Sequence, residues 1–286
     1  MSNQIYLKFE EIEDDVRTKA PKTVYKYRDW LNPVHKKIIS EKEIWFASPN
    51  DLNDPIDIKT PLRFDYSEVY SPLFFQKIKM HFINDSDSTS KGYTDREVEK
   101  IYNDKWEEIK LNPKEYFART YIDLINDNEL YNKVGVFSCC KDGLNDLMWF
   151  LYGNKHKGFC IGFNVVELAR NLNCGFGPVR YCDNIPFFSF INDRNEEDLT
   201  QYYLKTKKWR YEEEFRFIVI EDEQIIHRER KYPINCIEEI IIGNKFPKEN
   251  IDEFIYLIKK TYSDKIPVYQ VRTKSDNYGL EKYLIA

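Results

Sequence analysis

Histidine and glycine are scarce in this chain and its cysteines lack metal-type spacing, and each shortage removes a class of function. The four histidines (His35, His81, His156, His227) are scattered, with no H-E-x-x-H pair, so no His-rich metal centre is expected; His156 with Cys160, Cys174 and Cys182 is the one zinc set left, and its spacing is irregular. The 10 glycines include no G-x-G-x-x-G after a strand and no G-x-x-x-x-G-K-[ST] loop, which removes the familiar glycine-built phosphate cradles. A G-x-S-x-G nucleophile elbow is missing too. The six cysteines (Cys139, Cys140, Cys160, Cys174, Cys182, Cys236) contain no C-x-x-C. With no signal peptide at the acidic N-terminus, they read as reduced thiols of a cytoplasmic protein, with neither zinc nor disulfide expected. No run of about 18 apolar residues occurs, so no membrane span is expected. A net charge of −5 gives no broad attraction for nucleic acid or anionic lipid.

Aromatic residues, by contrast, are abundant: 21 Tyr, 19 Phe and 5 Trp, enough both for a rigid interior and for a stacking pocket. The pattern along the chain predicts an N-terminal extension over 1–20 and a single α+β domain over 21–286 with a helical insertion at 66–131. Thr23 to Arg28 reads as a strand. Asn32-Pro33 starts a helix, with Asn as cap and Pro in the first turn. Ile44 to Ser48 is a second strand, followed by the acidic turn-rich loop Asn50 to Asp57. Helical spacing then dominates, broken by a polar connector at 84–92. Strands return at Val134 to Cys140 and Gly158 to Phe163, with a short helix from Asp146 between them. The chain closes with a strand at Ile237 to Ile242, a helix from Asn250 to Tyr262 and a strand at Pro267 to Arg272. This arrangement predicts a split or mixed β-sheet core.

The stretch from Trp209 to Ile220 carries the most chemistry. Read as one strand, it places Arg210, Glu212, Glu214 and Arg216 on a single face that turns aliphatic at Ile218 and Ile220. That face is either the mouth of a polar site or a ladder of surface ion pairs, each of small worth. The basic run Lys205 to Arg210 reads as a solvated face. Two further segments stand out: Tyr25-Lys26-Tyr27-Arg28, where an arginine suited to phosphate ends a strand, and Phe137-Ser138, a hydroxyl within a buried-looking strand.

The segments T-V-Y-K-Y-R, I-W-F-A-S-P-N-D-L-N-D-P-I-D, V-G-V-F-S-C-C, L-M-W-F-L-Y-G-N-K-H-K-G-F-C-I-G-F and W-R-Y-E-E-E-F-R resemble the successive signatures of a widespread bacterial family described only as a domain of unknown function. The resemblance covers most of 23–272 outside the helical insertion. It implies a setting in phage or mobile-element conflict, with a partner protein from a defence operon. The order of Arg28, Ser138 and Glu212-x-Glu214 is similar to the R-S-E arrangement of ADP-ribosyltransferases. That likeness implies NAD, as substrate, in a cleft of a split sheet, and no metal. Arg28 would hold a phosphate, and Ser138 would support the ribose and the catalytic carboxylate. Glu214 would stabilise an oxocarbenium-like transition state, and Glu212 would position or deprotonate an acceptor on protein or nucleic acid. Tyr25, Tyr27, Trp45, Trp149 and Arg216 would complete the nucleotide site.

Two other classes fit the same residues. Asn53, Asp54 and Asp57 with Glu212 and Glu214 form a donor set of the kind that holds Mg²⁺ for phosphodiester hydrolysis; their alternative role is turn chemistry, with Asn and Asp bonding their own backbone. A non-enzymatic sensor or interaction module is the third class, in which Trp149, Phe150 and Tyr152 are simply core.

Overall fold

The computed structural model describes residues 20–59, 63–77, 94–117, 131–184, 187–188, 191 and 201–286. Nearly all of the N-terminal extension expected from sequence, and the polar connector at 84–92, lie outside the described residues. In chain order the strands are β1 (Thr23–Arg28), β2 (Glu43–Trp45), β3 (Arg63–Phe64), β4 (Val134–Cys140), β5 (Phe159–Asn164), β6 (Gly175–Pro178), β7 (Arg180–Cys182), β8 (Phe187–Phe188), β9 (Leu204–Thr206), β10 (Glu214–Ile220), β11 (Glu229–Lys231), β12 (Ile237–Ile242), β13 (Val268–Thr273) and β14 (Leu280–Leu284). The helices named here are α1 (Pro33–Ser40), α2 (Asp95–Leu111), α3 (Asp146–Leu151), α4 (Val165–Leu172) and α5 (Ile251–Tyr262).

The chain forms two compact units, one of Met1–Ile58, Tyr131–Asp183 and Tyr202–Ala286, the other of Lys59–Leu130 and Asn184–Gln201. The first is α+β and carries a mixed eight-stranded sheet in the order β14-β13-β12-β5-β1-β4-β10-β6. Its strands are antiparallel neighbours except β12 and β13, which run parallel. One sheet face packs against α1, α4 and α5, which bury Ile38, Ile39, Leu168, Phe254 and Ile258 against Val24, Phe137, Phe163, Phe215 and Phe217. On the other face α3 lays Met148 and Trp149 over Tyr27, Cys140, Cys160 and Ile241. The local signals are simple. Asn32 accepts from the Val34 N–H ahead of Pro33, and Asn164 accepts from the Glu167 N–H, so each helix start has its cap. Asn145 does the same for Met148 at the head of α3.

In the second unit β3 pairs in parallel with β8, and Val69, Phe74, Ile109 and Phe117 form a small core beside α2. The Trp106 indole donates to the Val69 carbonyl at 2.7 Å. The block of helices expected at 66–131 contributes to this unit, which also takes in Asn184–Gln201, a segment that pattern alone does not associate with it.

One expected element has a different shape. The stretch from Trp209 to Ile220 is not one strand: Lys207–Glu212 is a 3₁₀ turn, Glu213 adopts φ 42°, and β10 starts at Glu214. Arg210 is therefore exposed and leaves the face on which strand alternation puts it.

Candidate functional site

The site is built on a parting of two central strands. β1 pairs with β5 along its whole length, from Thr23 opposite Asn164 to Arg28 opposite Phe159. With β4 it shares one registered pair, Tyr25 opposite Cys140. Further along β4, Val136 exchanges both backbone bonds with Ala47, each 2.9 Å, so that edge is covered by the segment after β2. Alternate residues of a strand aim their backbone groups at opposite neighbours. Those of Ser138 therefore point into the gap, and its carbonyl accepts from the Lys26 ammonium. The gap opens into a cavity of about 270 Å³.

One wall of the cavity is cationic. Lys26 and Arg28 both line it, and neither has a carboxylate within ion-pair distance among the described residues. Burial, and then the neighbouring Arg28 charge, lower the Lys26 ammonium from its usual range to about 7. Burial lowers the Arg28 guanidinium to about 10. The same two cations reach His35, which burial and Arg28 bring down to about 4. Neutral His35 accepts the Asp29 N–H through Nδ1 at 3.2 Å.

The opposite wall is an enclosed ion network. Lys205 Nζ lies 2.6 Å from Glu212, 2.9 Å from Glu214 and 3.5 Å from Asp57. Arg216 clamps Glu214 through Nε at 2.7 Å and Asp57 through Nη2 at 2.6 Å, and donates to the Tyr202 carbonyl. The five side chains are at most 5% exposed, so this is no ladder of surface pairs. Three carboxylates against two cations leave one formal negative charge in excess. Burial pushes the Glu214 carboxyl upward. Arg216, Lys205 and hydrogen bonds from Arg216 and Ser138 outweigh it and hold the group well below the usual carboxylate range. Burial opposes the charge on Lys205 as well, but Glu214, Glu212 and Asp57 keep its ammonium protonated above the ordinary lysine range.

Local folding explains how these groups meet. The left-handed turn at Glu213 brings Glu212 and Glu214 to the same ammonium, where strand alternation would have spaced them along one face. In β10, Glu214 and Arg216 share a face while Phe215 and Phe217 enter the main core. α3 delivers Tyr152, whose hydroxyl donates to Glu212 at 2.6 Å and accepts from the Asn53 amide at 3.0 Å. Asn145, the cap of that helix, also donates to the Tyr211 carbonyl and ties α3 to the acidic turn.

Of the residues singled out in the sequence, Glu212, Glu214, Ser138, Arg28, Tyr25, Tyr27 and Trp45 all line this one cavity. Trp149 does not. It is fully buried beneath Tyr27, 5.0 Å between ring centres, with its indole N–H on the Gly143 carbonyl. Arg216 sits behind the wall and holds Glu214 and Asp57 from the protein side. Asp54 does turn chemistry, accepting the Ile56 N–H at 3.1 Å, while Asp57 belongs to the network.

Lys205 and Lys26 are the residues that sequence reasoning passed over. Lys205 opens a basic run that reads as solvated. Lys26 carries a signal that strand alternation contains: in T-V-Y-K-Y-R it shares a face with Val24, a core residue.

The donor set does not suit a divalent ion. Lys205 and Arg216 already stand between the three carboxylates, and among the described residues no group of three metal-type donors is arranged to hold a metal. All six cysteines are free, five of them buried. Among the described residues no helix is long and apolar enough to cross a membrane.

The family model described as a protein of unknown function (DUF2971) matches residues 148–217, from α3 through to β10. The match agrees with the resemblance to a bacterial family of unknown function, and it spans Tyr152, Lys205, Glu212, Glu214 and Arg216. No curated protein and no solved structure matches the chain.

Proposed function

We propose that the cavity binds a nucleotide of the NAD class and promotes cleavage of its nicotinamide–ribose bond, as ADP-ribosyltransferase-like enzymes do, within a bacterial defence system in the cytoplasm. The observation that carries the reading is the parting of β1 from β4, with Arg28 on one lip and Ser138, Glu212 and Glu214 across the gap. Small-ligand sites usually enclose about 300–1,000 Å³. The 270 Å³ here suits the nicotinamide ribose and an adjoining phosphate, with the rest of the dinucleotide outside.

In this reading Arg28, without a carboxylate partner, takes a phosphate oxygen. As the C1′–N bond breaks, nicotinamide departs as a neutral molecule with the bonding pair, and positive charge grows on the ribose. The excess negative charge of the carboxylate wall faces it. Arg216 and Lys205 fix Glu214, and Tyr152 and Lys205 fix Glu212, so neither carboxylate must reorganise. As nicotinamide leaves, the oxygen of a protein hydroxyl, a nucleic-acid hydroxyl or water bonds to C1′ and gives up its proton to a base in the cavity.

The test is nicotinamide release from NAD, with and without EDTA, by the wild-type protein and by Arg28→Met and Glu212→Gln. Release that EDTA leaves unchanged and that falls by about 10²–10³-fold in the Glu212 variant supports the reading. Phosphodiester cleavage that requires Mg²⁺, without release of nicotinamide, would transfer the site to nuclease chemistry.

One observation favours a second reading. Both oxygens of Glu212 and of Glu214 are already hydrogen-bonded within the protein, which suits a nucleotide sensor that binds without turnover. Calorimetric binding of NAD with no nicotinamide released under any condition selects this alternative.

A further inference from the structure

We propose that the Lys26 amine, not a carboxylate, removes the acceptor's proton in this cavity; the inference rests on the NAD reading above. In that chemistry some group must accept a proton as the acceptor oxygen bonds to C1′, and the carboxylates are poorly placed to do so. Glu212 spends one oxygen on Tyr152 and the other on Lys205. Glu214 spends both on Arg216 and Lys205. Asp57 keeps one oxygen without a partner, but that atom is sealed from solvent, and the other is held by Arg216 and Lys205.

Lys26 differs on each count. It lines the cavity, half-buried, and donates to the Ser138 carbonyl, which engages one N–H; no other hydrogen-bond partner holds the nitrogen among the described residues. It rests 4.9 Å from the centre of the Phe137 ring, an apolar floor. The charged and titratable groups around it are Arg28 on its own strand, Cys139 on β4, Glu212 and Glu214 across the gap, and His35. Burial and Arg28 dominate that balance and bring the ammonium to about 7, so much of it is free amine near neutral pH. A desolvated lysine beside another cation is a recognised way to make an amine basic chemistry can use.

The step balances. The acceptor oxygen forms its bond to C1′ while the C1′–N bond breaks. Nicotinamide leaves neutral with the electron pair, and the acceptor proton passes to Lys26 Nζ. The ammonium then loses that proton to water once product has gone.

Lys26→Arg separates base from cation, since a guanidinium keeps the charge and the donor but does not deprotonate in proteins. The experiment measures nicotinamide release against pH for the wild type, Lys26→Arg, Lys26→Met and Asp57→Asn, with melting temperature as a fold control. The wild-type rate should rise with pH and level off above about 7. Lys26→Arg should still bind NAD, lose about 10²-fold in rate and lose that limb, as Lys26→Met does. Asp57→Asn should keep the limb. A second readout needs no turnover: the ¹³Cε signal of Lys26 in lysine-labelled protein, assigned with Lys26→Arg, should titrate near 7. Wild-type rate and pH limb in Lys26→Arg, or a midpoint in the ordinary lysine range, overturns the role of Lys26 alone. A wild type that neither binds nor cleaves NAD overturns the reading beneath it, and the role with it.

Discussion

Tyr25 stands opposite Cys140, and this single registered pair is where β1 and β4 remain joined before the cavity opens. The Tyr25 ring is held from two sides: its hydroxyl donates to Glu239 at 2.9 Å, and a Cβ placed on Gly143 would lie 2.6 Å from the ring. Gly143→Ala should therefore press on a side chain that cannot swing away. The expected cost is about 1–3 kcal/mol in urea unfolding, together with weaker ligand binding. Full stability and unchanged binding would show that the pair does not set the width of the gap.

Arg28→Met should separate stability from binding. The guanidinium is half-buried and has no carboxylate partner among the described residues, so replacing it with an apolar side chain of similar length removes a partly desolvated charge. The melting temperature should hold or rise, while NAD and pyrophosphate lose affinity by calorimetry. A variant that melts earlier and binds normally would make Arg28 a structural residue.

Lys205→Met should do the reverse. It leaves Asp57, Glu212 and Glu214 facing Arg216 alone, and breaking a buried network in this way costs about 3–5 kcal/mol. Glu214→Gln belongs to the same class, because its carboxylate bonds both cations. Chemical denaturation should place both variants well below Glu212→Gln, which keeps a partner for Tyr152.

The two tryptophans of the site region should behave oppositely. Trp149→Ala empties a fully buried position and should cost about 3–5 kcal/mol. Trp45 is 51% exposed at the cavity wall, so Trp45→Ala should barely change stability and should lower ligand affinity. Paired unfolding and binding curves on both variants check this.

His35 sets a pH dependence whose sign follows from its lowered value of about 4. Above its unfolded value of about 6.5 both states are neutral and its contribution is complete. As pH falls from there toward 4, the unfolded chain takes up a proton that the folded one refuses, and stability declines. The side chain is half-buried, so after allowance for screening the loss is roughly 1–2 kcal/mol. His35→Gln should flatten the unfolding midpoint across this window; an unchanged slope would assign it to other groups.

Much of this architecture is legible before any coordinates. Thr23–Arg28 and Val134–Cys140 are strands with the bounds their alternation predicts, and Asn32-Pro33 starts α1 as its cap chemistry requires. Glu212 and Glu214 mark the cavity's acidic side in the sequence, but not through strand alternation. Alternation along a strand put Arg210 beside them, whereas a backbone turn at Glu213, invisible to a period-two pattern, brings them to Lys205. Lys205 is hidden for a different reason: a lysine in a polar run looks solvated, and only tertiary packing reveals that its ammonium is enclosed. Lys26, half-buried between two tyrosines, shows itself only as a charge on the Val24 face of its strand.

The arrangement of charge across the gap has a directional consequence. Arg28, joined by Lys26 when that amine is protonated, lies to one side and the surplus carboxylate of the network to the other, so the cavity carries an electric dipole. A ligand with a phosphate at one end and an electron-poor, cationic ring at the other is aligned by this field in a single sense before any close contact forms. Its mirror-ordered counterpart is repelled at both ends. The cavity thus reads polarity as well as shape, and salt should blunt that discrimination least where the walls are driest.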